Sequence, residues 1–281
     1  MAGSSGVATR LRLYGGTAVR VARRGRKQGG DAARATERPV FVVGAPRSGT
    51  TFMGSSLGKL PDFVDLGEVG PLKASIDELA ALPEEEAARR LRQTLERVRT
   101  LGLARGLRGV EQTPETTFVL RAALRAYPQA RVVHVVRDGR DVVSSLLAKG
   151  WLSDDRSGAD DVGGAFGAHA RSWVEPERVE EFRRAGDARR AAWAWRRYLA
   201  TARTAVPSST LEVRYEQLAG DPRAVAEPLA EHIGADPELL ARSLADVHAG
   251  SVGRWRRDLS EEELADVEAE AAPLLRELGY D

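Results

Sequence analysis

The 281-residue chain contains no cysteine. Disulfides, thiolate nucleophiles and Cys-ligated zinc or iron–sulfur centres are thereby excluded. Net charge is also nearly absent: 42 Lys and Arg stand against 41 Asp and Glu, so bulk electrostatics give no argument for a nucleic-acid partner. Long apolar runs are missing as well. No stretch of about 18 apolar residues offers a membrane-spanning helix, and "VATRLRLYGGTAVRV" near the N-terminus is interrupted by arginines and glycines where a secretion signal is continuously apolar. These features lead us to expect a soluble, cytoplasmic protein. The length and a hydrophobic fraction of 42% suit one large α/β domain or two small ones around a substantial core.

What is present begins with a basic stretch. Residues 1 to about 38 hold Arg10, Arg12, Arg20, Arg23, Arg24, Arg26 and Lys27, punctuated by glycine pairs. This reads as a flexible or partly helical leader before a main domain at 39–281. The sharper alternative is a surface helix making weak contact with acidic lipid or a partner. Short β-branched runs then alternate with helical patterns. Strands are expected at 39–43, 110–112, 131–136 and 210–213. Helices are expected at 50–60, 79–101, 116–126, 141–149, 188–205, 221–233, 237–247 and 260–278. Pro222 and Pro237 suit first-turn positions, and Ser260 with Glu263 spells a capping box. Residues 150–185 are rich in Gly, Asp and Ser, the composition of a lid or of a disordered insertion. The alternation argues for an α/β fold whose parallel sheet is covered by helices on both faces. Ligands of such sheets bind beyond the carboxyl ends of the strands, where the 44–51 loop and the 137–141 turn both fall.

The loop is the most informative stretch. In "FVVGAPRSGTTFM", Gly44 to Thr51 follows the P-loop pattern G-x-x-x-x-G-K-[ST], except that Thr50 stands in place of the lysine. A strand–loop–helix of this kind presents backbone N–H groups to an anion at the positive end of a helix. Gly44 and Gly49 permit the turn. Ser48, Thr50 and Thr51 offer hydroxyls, and Arg47 a forked cation. A phosphate ester fits, but chemistry on a triphosphate loses the lysine that reaches its β- and γ-phosphates.

"GAPRSGTTFM" resembles the 5′-phosphosulfate loop, P-[KR]-S-G-[TS]-[TS], of sulfotransferases that use 3′-phosphoadenosine 5′-phosphosulfate (PAPS). "RVVHVVRDGRDVVSSLLAKG" resembles the family's next segment, a strand ending in Arg with a Ser eight residues later. The resemblance implies that Arg137 and Ser145 grip the donor's 3′-phosphate. Lys149 also matches the bacterial and protein-tyrosine branches. "LEVRYEQLAGDP" is similar to the segment that brings a Tyr, here Tyr215, near the adenine. "HAGSVGRWRRDLS" is similar to the C-terminal loop that closes over the nucleotide, with Ser251 and Arg254 on the 3′-phosphate. The resemblance implies a P-loop-type sulfotransferase fold, PAPS as donor, adenosine 3′,5′-bisphosphate as product and no metal. It implies in-line sulfuryl transfer to a hydroxyl, or less readily an amine, of a small molecule or glycan. Arg47 would then serve catalysis as well as binding.

Departures from the pattern matter. His248, Ala249 and Gly250 stand where the cytosolic branch has Arg-Lys-Gly. Gln112 precedes Thr113-Pro114, where many members carry Lys near the transferring sulfate, so Arg47 must suffice or be helped by Lys149 or Lys59. For the general base, "DLGEVGPL" resembles the Gly-Glu segment of the protein-tyrosine branch, which points to Glu68. Glu111, Glu115 and His169 are the reserves, and His134, in mid-strand, reads as core. Trp151, Phe166, Trp173 and Phe182 either line an acceptor pocket or pack beneath the lid. Two other functions stay open: a P-loop kinase or NTPase with Asp138 on Mg²⁺, and a noncatalytic nucleotide-binding protein.

Overall fold

The run "VFVV" carries no polar residue because its strand, β1 (Val40–Val43), is covered on both sides. In the computed structural model, which describes residues 13–22, 35, 37–101, 106–160, 162–169, 171, 173–205 and 210–280, β1 is the middle of a five-stranded sheet. The others are β2 (Phe63–Gly67), β3 (Arg108–Glu111), β4 (Arg131–Val136) and β5 (Thr210–Arg214), in the order β2-β3-β1-β4-β5. Every pairing is parallel. Successive residues point to opposite faces. Val40 and Val42 therefore meet α1 (Thr50–Gly58), α5 (Pro222–Ile233) and α6 (Pro237–Leu244) through Met53, Leu57, Ile233 and Leu240. Phe41 and Val43 meet Leu91 and Leu95 of α2 (Glu84–Leu101) on the other face. Another core gathers Trp193 and Trp195 of α4 (Asp187–Ala205) with α3 (Gly139–Leu147) and α7 (Glu261–Glu277). No described helix is long and apolar enough to cross a membrane.

The expected α/β architecture is present, and the Ser260–Glu263 capping box is formed in both directions. Several details differ: the expected helix at 79–101 is two helices, Ile76–Ala81 and Glu84–Leu101, separated at Leu82–Pro83. Edge strand β2 has no counterpart in the sequence reading. The expected helix at 116–126 is a 3-10 turn, Pro114–Val119, followed by a helix at Leu120–Ala126. The lid-like segment ends in a short helix, Val179–Arg184, rather than staying irregular to 185. The basic leader, expected to be flexible or partly helical, is helical at residues 13–22, where it packs on the sheet edge. Val21 is buried there, the Thr17 hydroxyl donates to the Leu66 carbonyl at 2.9 Å, and Arg20 pairs with Asp65. A helix so placed covers an edge that would otherwise expose unpaired strand groups. Arg10, Arg12, Arg23, Arg24, Arg26 and Lys27 of the leader lie outside the described residues.

From β1 the chain crosses toward β2 and β3 on one side, and later to β4 and β5 on the other. The carboxyl ends of β1 and β4 thus flank the switch point of the sheet, where a crevice opens. Gly44 and Arg137 are the residues that follow those two strands.

Candidate active site

The loop after β1 needs unusual backbone angles. Gly44 has φ 149° and Gly49 φ 102°. A Cβ on Gly44 would collide with the Val135 carbonyl, and one on Gly49 would lie 2.6 Å from the Tyr215 ring. Arg47, at φ 74°, is alone among the described non-glycine residues in holding a positive φ. Such a conformation costs on the order of 1–3 kcal/mol and persists only when the surroundings impose it. Here the Arg47 carbonyl accepts from Arg137 at 3.2 Å, while its own Nε donates to Ser145 Oγ at 3.1 Å. Gly49 caps α1, whose first turn holds no acidic residue. The first N–H groups of that helix lack intrahelical acceptors and leave a positive end for a ligand.

A cavity of about 500 Å³ lies on this loop. It is lined by Arg47, Gly49, Thr50, Thr51, Arg137, Ser145, Tyr215, Ser251 and Arg254, nine of the residues expected from the sequence. His248 and Arg257 line it as well. Ser48 is buried beneath the loop, its N–H bonded to the Ala45 carbonyl. Lys149 is not brought in. It follows the end of α3 as an exposed residue and lines no part of the cavity. Arg137 is buried, stacks 4.5 Å from the Tyr215 ring centre and donates to the Ser251 carbonyl. Its Nε is buried without a hydrogen-bond partner. The Tyr215 hydroxyl donates to the His248 carbonyl at 2.9 Å, so this residue holds the C-terminal loop as well as facing the cavity. Asp141, which the sequence reading left without a role, accepts from the N–H groups of Gly253 at 2.8 Å and Trp255 at 3.0 Å. It ties the loop bearing Ser251 and Arg254 to α3.

A second cavity, of about 380 Å³, abuts the first. Pro46 and Leu146 line it, while their neighbours Arg47 and Ser145 line the other. The Arg47–Ser145 hydrogen bond therefore lies at the partition. Trp151, Phe166, Trp173, Leu152 and Tyr198 supply apolar wall. Phe182 does not: it is fully buried, edge-on to Trp173 and Trp193. Glu68 lines the cavity, paired with Lys73 at 2.8 Å. Glu115 also lines it, and burial pushes its pKa up.

The other candidates lie elsewhere. Glu111 is fully buried on β3, with a pKa pushed by burial to about 7. Its two oxygens accept from the Thr113 N–H and the Thr116 hydroxyl, so it braces the turn and lines neither cavity. His169 lines a separate groove with Asp154 and Arg183. His134 is buried in β4, 3.6 Å from Glu212. Gln112 packs against Gly54 of α1 and donates to Asp65 at 3.2 Å. Lys59 is exposed at the C-terminal end of α1, away from the loop. Neither Lys59 nor Lys149 supplies the charge that Gln112 lacks. The basic groups at the second cavity are Lys73 and Arg171, which the sequence reading passed over. Neither sits in a sequence motif that would mark it. Asp138, the Mg²⁺ ligand that a kinase would need, is clasped by Arg140 through two nitrogens at 3.0 and 2.8 Å.

Comparisons with known proteins bear on the family and the fold. The model of the "Sulfotransferase family" matches residues 39–238. The fold is similar to a sulfotransferase domain from the Synechococcus PCC 7002 olefin synthase, with 18% identity and a TM-score of 0.53 over 87% of this chain and 95% of that one. It is also similar to the sulfotransferase domain from the curacin biosynthetic pathway, with 14% identity and a TM-score of 0.52 over 89% and 98%. A third similar structure is sulfotransferase STF9 from Mycobacterium avium, with 12% identity and a TM-score of 0.53 over 88% and 78%. No curated protein matches the sequence significantly.

Proposed function

The chain belongs to the sulfotransferase family, and from that premise we propose that it moves a sulfuryl group from PAPS to a hydroxyl of a small molecule. The observation that carries this reading is the pair of abutting cavities, one rich in arginine and one apolar, divided at the Arg47–Ser145 hydrogen bond. A donor bearing a 3′-phosphate and a 5′-phosphosulfate fits the first cavity. Four arginines line it, and the buried Arg137 Nε has no partner within the protein. That orphaned donor favours a phosphate oxygen, because a buried N–H left unbonded is costly.

In this reading the N–H groups at Gly49, Thr50 and Thr51 hold the 5′-phosphate. Arg137, Ser145, Ser251 and Arg254 hold the 3′-phosphate, and Tyr215 fixes the nucleoside side. Arg47, reaching the partition, balances charge as it shifts from the sulfuryl group to the departing phosphate. When bound, PAPS supplies the activated sulfur. The protein aligns the two reactants and excludes water, as in phosphoryl transfer. Glu68 takes the acceptor's proton, held in place by Lys73.

The test is release of adenosine 3′,5′-bisphosphate from PAPS in the presence of a panel of simple phenols and alcohols. Glu68→Gln is expected to lower kcat by about 10²–10⁴, the usual contribution of a general base, and to leave stabilisation by the bisphosphate intact. Undiminished turnover in the variant would remove Glu68 from the mechanism.

A further inference from the structure

We propose, on the premise that the smaller cavity takes the acceptor, that Glu115 selects a basic, largely apolar alcohol or phenol by receiving its ammonium group. The cavity's volume of about 380 Å³ lies toward the lower end of the roughly 300–1,000 Å³ range of small-molecule sites. It suits a compact molecule. Trp151, Phe166, Trp173 and Tyr198 present aromatic surface to it, and the Trp173 and Tyr198 ring centres are 6.3 Å apart. Aromatic faces attract both apolar groups and cations.

The charges in the wall are not all matched. Glu68 is paired with Lys73, and Asp160 with Arg171, each at 2.8 Å. Glu115 is the carboxyl left over. Its Oε2 is buried and has no hydrogen-bond partner. Lys73 and Arg171 are near enough to favour its ionised form, but burial outweighs them. A buried carboxyl in that condition gains most from a ligand that brings both a hydrogen-bond donor and a positive charge. An ammonium group does so. A neutral alkyl tail at the same place leaves Oε2 unbonded, and an anionic one adds repulsion.

The experiment uses three phenols of closely similar size: tyramine, 4-propylphenol and 4-hydroxyphenylacetate. Binding is measured calorimetrically with saturating adenosine 3′,5′-bisphosphate, and kcat/KM is measured with PAPS, for wild type, Glu115→Gln and Glu115→Asp. Tyramine is expected to bind wild type about ten- to a hundredfold tighter than 4-propylphenol, the range for a hydrogen bond to a charged group. The 4-hydroxyphenylacetate should bind weakest. The preference should vanish in Glu115→Gln and survive in part in Glu115→Asp. Equal binding of tyramine and 4-propylphenol, a preference that persists in Glu115→Gln, or no binding of tyramine at all would overturn the proposal. If Glu115→Gln fails to fold, the wild-type series and Glu115→Asp decide. Selective binding of tyramine without sulfation would contradict the sulfotransferase reading and uphold this one. Sulfation of 4-propylphenol as efficiently as tyramine would do the reverse.

Discussion

Gly49 carries a steric argument that a side chain would break in two ways. Its φ of 102° is open to few residues other than glycine, and an added Cβ would lie 2.6 Å from Tyr215. Gly49→Ala should therefore cost about 1–3 kcal/mol of stability and displace the ring that stacks on Arg137. The check is thermal unfolding with and without adenosine 3′,5′-bisphosphate: a lower midpoint and a smaller ligand shift are expected. Glu111 gives a prediction of a different kind. Its folded-state pKa, pushed by burial to about 7, lies above the ordinary carboxylate range. Between that range and pH 7 the folded chain keeps a proton that the unfolded chain has released, so stability falls as pH rises through the interval. Glu111→Gln removes the titration. Its unfolding midpoint should decline less than that of wild type between about pH 5 and about pH 7.5, and parallel curves would contradict the assignment. At this scale the sequence was informative where residues sit in motifs. Arg47, Arg137, Ser145 and Tyr215 all reach the larger cavity. Lys149 matched the same motif by spacing, but α3 ends at Leu147 and leaves it in solvent. Lys73 and Arg171 come to the second cavity through tertiary packing, which no local pattern encodes.

The segment at 249–258 walls one side of the larger cavity, and Asp141 is the carboxylate that ties its backbone N–H groups to α3. Asp141 is buried at the start of α3 and accepts both the Gly253 and Trp255 N–H groups. Asp141→Asn puts an N–H₂ where one of those donors points. The variant should bind the bisphosphate about tenfold more weakly, the effect of one charge-assisted hydrogen bond, although Asp141 lines neither cavity. Titration calorimetry on the variant tests this, and unchanged affinity would show that the loop holds without its anchor. Elements differed in how plainly the sequence announced them. β1 is a continuous apolar run and β4 a β-branched run interrupted by His134, both buried and each followed by a Gly-containing turn, a pattern that is easy to read. β2 is "FVDLG", interrupted by Asp65 and ended by Gly67, so it does not stand out as an apolar run. It is a strand because β3 pairs with it and because Gly58 lets α1 lie directly on Asp65. β3 begins at Arg108, a charged residue that reads as loop. Its buried guanidinium donates to the Arg38 carbonyl at 2.8 Å and also to the Ile233 carbonyl, so the charge serves as a clamp across the sheet end.

The whole molecule places a P-loop at the switch point of a parallel sheet, with Thr50 at the position of the expected lysine and a cation, Arg47, three residues before it. The 44–51 loop, the end of β4 and the 249–258 loop are far apart in sequence and meet around one cavity. Their order along the chain was legible as a family pattern. The size, the charge pairing and the occupant of the neighbouring cavity were not, because they depend on how 68–73, 114–115, 151–173 and α4 pack together. The central claim is that the larger cavity is built for a nucleotide with phosphates at both 3′ and 5′ positions, without a role for Mg²⁺. The most direct measurement is thermal unfolding of wild type and Arg137→Ala with adenosine 3′,5′-bisphosphate and, separately, with Mg²⁺–ATP. A ligand at a hundredfold excess over its Kd stabilises by about 2.7 kcal/mol. The account predicts such a shift for the bisphosphate with wild type, a much smaller one with Arg137→Ala, and little effect of Mg²⁺–ATP on either. Stabilisation by Mg²⁺–ATP alone, or a bisphosphate shift indifferent to Arg137, would contradict it.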